Sequence, residues 1–219
     1  MFLSGVHASP YQPYQRIYID CPIRIHMGIL WTSKLSDINS TQRFYVYYWS
    51  MKILLLRLIW VLIGSSVAIG LALWATKANS PLLLASLGGT TLFLFALTTA
   101  PAAQPRAVFG AHLISSLIGI VAYQLFGDAF WVYVFALVLT IVILLLVRCV
   151  HPPAGANPII MIQAHAGFIH LGITVMLGVS IIFIVAFIWS RLGVGNTKYP
   201  TSWNQPSPAS LNWSIWEKQ

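Results

Sequence analysis

Acidic residues are nearly missing from this chain of 219 residues. There are four, Asp20, Asp37, Asp128 and Glu217, and none falls in the middle of an apolar segment. Charged side chains of both signs make up 7% of the residues against 58% hydrophobic, which excludes a soluble domain and points to a polytopic membrane protein. Carriers coupled to protons or cations commonly hold an Asp or Glu within their spans, so sodium coupling through a carboxylate is not expected. Cysteine is equally scarce: Cys21 and Cys149 do not make a disulfide framework. No histidine stands at metal-site spacing with cysteine or carboxylate, so neither a metal nor another cofactor is expected. No acid–base pair or nucleophile with a base at useful spacing is visible, which argues against an enzyme. The net charge of +8 sits in tails and short loops, the pattern of positive-inside topology and not of nucleic-acid binding.

Long apolar runs dominate what remains. Residues 53–74 are apolar for about the length a helix needs to cross a bilayer. Arg57 near the start of this run is read as a snorkelling anchor. Residues 81–99, 108–125, 130–147 and 169–189 are further apolar segments, the one over 130–147 almost without polar atoms and expected to face lipid. The fold class expected is an all-α polytopic membrane protein. It has four long transmembrane helices plus two short proline-opened segments, re-entrant or crossing, and a 3+3 repeat of residues 53–126 and 129–190. Positive-inside counting favours six crossings, with Lys52, Arg106, Arg148 and Arg191 on one side and Lys77 and Asp128 on the other. Residues 1–50 lack a signal-peptide order and a helical period. They are read as an N-terminal extension, poorly ordered or an artefact of the gene model, with Met51 as an alternative initiator. Residues 51–191 form the transmembrane domain and 192–219 a cytoplasmic C-terminal tail.

Small residues mark expected helix contacts at four-residue spacing, Ser66 with Gly70 and Thr174 with Gly178. On the third segment His112, Ser115, Ser116, Gly119 and Tyr123 share one face, which must look inward because a histidine is costly in lipid.

The run Val150-His151-Pro152-Pro153-Ala154-Gly155-Ala156-Asn157-Pro158 interrupts the apolar pattern with three prolines. Proline lacks an N–H and fixes φ, so the helix must break there. Broken backbone at membrane depth is tolerated only when buried in protein or lining a wet cavity. Short proline-interrupted segments at corresponding places in two halves point to a transporter's binding site.

The stretches Ala85-Ser86-Leu87-Gly88-Gly89-Thr90, Ala103-Gln104-Pro105-Arg106, Gly110-Ala111-His112 and His151-Pro152-Pro153-Ala154-Gly155-Ala156, in this order, resemble the HPP family of integral membrane proteins. The resemblance covers roughly residues 50–190. It implies four transmembrane helices and, from plastid and cyanobacterial members associated with nitrite transport, a nitrite permease. The expected location is a bacterial or cyanobacterial inner membrane, or a plastid envelope.

A small anion such as nitrite needs N–H and O–H donors and positive potential. The expected substrate-binding set is His151, Asn157, Gly155, Ser86, Thr90, Gln104, Arg106 and His112. His151 and Asn157 are placed beside the N-terminus of one half-helix and Ser86 and Thr90 beside the other, with Gly155 letting backbone approach. Arg106 would steer the anion to the pathway mouth. The expected partners are the anion, the lipid bilayer and, in a chain this small, further copies of itself. A structural or assembly subunit that binds other membrane proteins is the alternative.

Overall fold

The computed structural model describes residues 40–77, 81–193 and 197–210. The rest of the expected N-terminal extension and the end of the C-terminal tail lie outside the described residues. The chain divides into two units, Met1–Leu58 and Ile59–Gln219. Within the described part of the first, the backbone is helical from Ser40, ahead of the start expected at Met51, and Leu54, Leu55, Leu56 and Leu58 are exposed.

Among the described residues there are six α-helical segments: α1 Ser40–Thr76, α2 Pro81–Ala96, α3 Pro105–Phe126, α4 Phe130–Leu146, α5 Asn157–Gln163 and α6 Phe168–Leu192. Leu171–Met176 of α6 is π-helical. No strand occurs among the described residues beyond one bridge pair, Cys149 with Ser207. Among the described residues, three helices are long and apolar enough to cross a membrane: Met51–Thr76 of α1, α3 and α6, with 26, 22 and 25 residues. The expected count of four is therefore not reached. With 17 residues, α4 extends about 25 Å against a hydrocarbon core of about 30 Å. It ends at Leu146 because Arg148 takes a left-handed φ of 54° and the Cys149 N–H turns back to the Leu144 carbonyl at 3.0 Å.

Contacts along α3 set the direction of each pass in the second unit. Thr90 and Ser86 of α2 stand opposite His112 and Ser116, so α2 runs antiparallel to α3. At one end α4 begins beside Asp128, where the Tyr133 hydroxyl donates to the carboxylate at 2.5 Å; at the other Arg106 donates to the Val147 carbonyl at 3.1 Å. The hydrogen bonds from Tyr133 and then His165 hold the exposed Asp128 carboxyl below its usual range. The segment after α4 follows α3 from end to end. Cys149 packs on Gly110, Pro158 on Gly119, and the His165 ring stacks on Tyr123 at 4.7 Å between centroids. Helix α5 alone, seven residues, covers about 10 Å. Together with the 3₁₀ turn Pro152–Ala156 it makes one broken segment along α3. Helix α6 returns, with Phe183 against Phe109 and Arg191 at the Arg106 end. Trp60 of α1 stacks on Trp189 at 4.5 Å, and Thr76 lies beside Gly178. Within the second unit the described segments therefore alternate in direction along α3.

Close approach of α1 to its neighbours falls on a different stripe from the expected one. Gly64, Ala68 and Ala72 face inward, and a Cβ on Gly64 would meet Trp189 and Phe95 at 2.5 and 2.7 Å. Ser66 is exposed and Gly70 has open space at its Cβ position. Gly178 does pack, with Leu87 at 3.1 Å. The outward face of α4 carries Val134, Phe135, Val138, Ile141 and Val142 exposed, as expected of a lipid-facing helix.

Candidate functional site

Buried polar groups in a bundle this apolar must find partners, since each unmet donor or acceptor costs about 1–3 kcal/mol. Six side chains solve this jointly: Ser86, Thr90, His112, Ser116, His151 and Asn157, all at most 1% exposed. Ser86 and Thr90 come from one face of α2, one turn apart. His112 and Ser116 come from one face of α3, also one turn apart. His151 precedes the 3₁₀ turn, and Asn157 opens α5. The His-Pro-Pro break places these last two against the others: Pro153 rests on Gly89 at 3.0 Å and Pro158 on Gly119 at 2.7 Å, measured to ideal Cβ positions. Glycine at both places lets the broken segment lie flush on α2 and α3.

The hydrogen bonds form one connected set. Ser86 Oγ donates to Asn157 Oδ1 at 2.7 Å, and Asn157 Nδ2 donates to His112 Nδ1 and to Ser116 Oγ, both at 2.9 Å. Thr90 Oγ1 lies 2.8 Å from His112 Nε2 and 3.0 Å from His151 Nε2. His151 Nδ1 reaches the Ala102 carbonyl at 2.7 Å. A carbonyl only accepts, so His151 carries its proton on Nδ1. His112 accepts at Nδ1 from the amide and so carries its proton on Nε2; these tautomers follow from the partners. Thr90 Oγ1 also lies 3.0 Å from the Ser86 carbonyl, so it receives from His112 and its one proton serves either that carbonyl or His151. The two rings are 5.4 Å apart, and Phe93 closes the site edge-on to His151 at 5.2 Å.

Five residues of the expected binding set thus converge: Ser86, Thr90, His112, His151 and Asn157. Their setting differs from the expected one in one respect. Ser86 and Thr90 lie in the body of α2, which starts at Pro81, and not at its N-terminus. The other three lie elsewhere. Gln104 is buried but faces the C-terminal segment: its Nε2 donates to the Thr98 and Ala100 carbonyls, and its Oε1 accepts from the Thr201 and Ser202 N–H groups at 3.0 and 3.1 Å. Arg106 is partly exposed on the Val147 carbonyl and Asn204. Gly155 has open space at its Cβ position.

Ser116 belongs to the network yet was expected only as part of a helix face. Its place one turn after His112 was the available signal. Residues 197–210 form a strap that no periodicity announced. Tyr199, fully buried, donates its hydroxyl to the Ala103 carbonyl at 2.7 Å. Burial pushes that hydroxyl well above its ordinary range. Ser207 exchanges backbone bonds with Arg148 and Val150, and Arg148 reaches the Pro208 and Ala209 carbonyls. The strap therefore gathers Arg106, Arg148 and Arg191 at one end of the second unit.

Comparison with known proteins agrees with this architecture. The family described as HPP, transmembrane region, matches residues 50–200. A transmembrane protein of Dictyostelium discoideum is 25% identical over 137 residues, covering 59% of this chain and 48% of that protein. The chain thus spans about half the length of the curated relative it matches. No solved structure matches. A match over residues 50–200, which takes in the His-Pro-Pro break and every member of the buried network, shows that this chain is a multi-pass integral membrane protein belonging to the HPP transmembrane family.

Proposed function

We propose that the chain is a membrane permease for a small inorganic anion, with nitrite the first substrate to test. The buried Ser86–Asn157–His112–Thr90–His151 network is its binding site. One observation carries this reading: two histidines, an amide and three hydroxyls are sequestered together at the His-Pro-Pro break. Apolar packing would hold helices together at lower cost, and intramembrane polar groups of this kind mark solute pathways. The donors suit an anion: Asn157 N–H, the Ser86, Thr90 and Ser116 hydroxyls, and the imidazole N–H of His112. Arg106, Arg148 and Arg191 at the strap end add positive potential that attracts an anion to that mouth, an effect that salt weakens.

A second reading is a structural or assembly subunit, favoured by the completeness of the network: all four ring nitrogens of the histidine pair are already hydrogen-bonded. Nitrite uptake into proteoliposomes at alkaline pH, where nitrous acid leak is negligible, separates the two. Saturable uptake by the wild type that Asn157→Ala lowers at least tenfold, with the variant still monodisperse, supports the permease. Absence of uptake above protein-free vesicles, together with a stoichiometric membrane partner on purification, supports the subunit.

A further inference from the structure

The Thr90 hydroxyl has one proton and three neighbours that could use it. It stands 3.0 Å from His151 Nε2, 2.8 Å from His112 Nε2 and 3.0 Å from the Ser86 carbonyl. His112 donates to Thr90, so the hydroxyl proton goes to His151 when His151 Nε2 is bare and to the Ser86 carbonyl when it is not. The Ser86 carbonyl one turn back remains as a second acceptor.

We propose that this arrangement is a proton-binding site that takes up one proton at His151 Nε2 together with each anion, so that transport is electroneutral. This rests on the permease reading above. The geometry admits the added proton through one bond rotation. When His151 Nε2 becomes a donor, Thr90 turns its hydroxyl to the Ser86 carbonyl and accepts from both imidazoles through its two lone pairs. His151 Nδ1 keeps its bond to Ala102 throughout. Proton uptake by itself moves no heavy atom of the network.

The same geometry limits the site to one proton. A second would have to enter at His112 Nδ1, where the Asn157 amide presents a donor at 2.9 Å. Accepting it requires Asn157 to turn over inside the packed 3₁₀–α5 corner, and it sets two imidazolium rings 5.4 Å apart. Charge supplies the link to the anion. His151 is faced by Thr90 and Phe93 of α2, His112 of α3 and the Ala102 carbonyl. Among the described residues no carboxylate, lysine or arginine hydrogen-bonds to any member of the network. An anion entering this buried site alone would be an uncompensated buried charge, and a lone imidazolium would be another. The two together form a neutral pair. The proton comes from the solvent on the side of entry and leaves with the anion on the other side. Nothing is oxidised or reduced.

The test uses the full chain in phosphatidylcholine vesicles at alkaline pH, with nitrite as the probe and protein-free vesicles subtracted. An imposed potassium diffusion potential and an imposed pH step are applied separately. Electroneutral coupling requires an initial rate that an inward proton gradient raises several-fold and that a potential of either sign leaves unchanged. Thr90→Val, which removes the hydroxyl, should lower the proton-driven rate at least tenfold, and Thr90→Ser should restore it. Uptake that follows the potential and ignores the proton gradient overturns the coupling while sustaining the permease. Proton-driven uptake that Thr90→Val leaves intact, in a variant that remains monodisperse, moves the proton site elsewhere and overturns this assignment. Uptake no faster than in protein-free vesicles overturns the permease reading and the coupling with it.

Discussion

His151 and Tyr199 hang from consecutive carbonyls of a single turn. His151 Nδ1–H donates to Ala102 and the Tyr199 hydroxyl to Ala103, each at 2.7 Å. The 3₁₀ turn Pro101–Ala103 therefore connects the buried network to the strap that covers the arginine-bearing end. On the other side of His151 the strap grips again, through Ser207 on Arg148 and Val150. The position of the histidine and the seating of the strap are thus set by the same few backbone groups.

Removing the Tyr199 hydroxyl should loosen this connection. Tyr199→Phe is expected to cost about 1 kcal/mol, the usual net worth of one hydrogen bond. Thermal unfolding in detergent measures the loss. Emission from Trp203, which packs against Phe183 and Phe187, reports whether the strap itself has shifted.

The same hydroxyl makes strap seating sensitive to strong alkali. Burial raises the Tyr199 pKa in the folded chain, so the folded form holds its proton more tightly than the unfolded form. The contribution is complete below the ordinary tyrosine value of about 10 and declines as pH rises from there toward the raised one. A pH series of Trp203 emission should show release above that point in the wild type. In Tyr199→Phe this alkaline step should vanish.

Flush packing of the broken segment depends on Gly119. A Cβ there would lie 2.7 Å from the Pro158 Cα and 2.8 Å from its carbonyl oxygen, and backbone cannot step aside as a flexible side chain can. Gly119→Ala should therefore destabilise by about 2 kcal/mol despite its better helix propensity. Gly88→Ala is the matched control: nothing lies within 4 Å of its Cβ position, so a change within about 0.5 kcal/mol is expected. Equal midpoints for the two variants would contradict the contact.

Arg106 tests the steering role. Its guanidinium is held by the Val147 carbonyl and Asn204, outside the network. Because Arg148 and Arg191 share that end, Arg106→Gln should lower nitrite uptake by about threefold and flatten its dependence on salt, with the protein still in the membrane. Unchanged uptake and an unchanged salt dependence would discard the role.

Much of the buried site could be read in the sequence because two strong rules coincide there. Three prolines force a break, and a histidine on a helix must turn inward, so His151 and the His112–Ser116–Gly119 face were legible. The connection between them was not, since it depends on Thr90 reaching both rings from a third pass. Gln104 lies outside the network. Its place in a polar Gln-Pro-Arg run suggested a ligand contact, yet both ends of its amide serve backbone groups, including two on the strap. Residues 197–210 carry no hydrophobic period, and their bonds are made mostly by backbone and by single side chains, which leave no pattern to read. Spacing alone also could not choose between Ser66–Gly70 and Gly64–Ala68–Ala72, because both are small residues four apart on α1. Only the neighbouring Trp189 and Phe95 decide it. The apolar run over 130–147 marks α4 to within a residue, and the left-handed Arg148 stops it at Leu146.

Nitrite uptake by reconstituted wild type, His151→Ala and His165→Ala at alkaline pH addresses the central claim most directly. His151 lies inside the buried network, whereas His165 pairs with Asp128 on the surface at the far end of α3. Saturable wild-type uptake that His151→Ala abolishes and His165→Ala retains is the expected result. Uptake by folded His151→Ala equal to that of the wild type, or none by the wild type above protein-free vesicles, would contradict a permeation site at the His-Pro-Pro break.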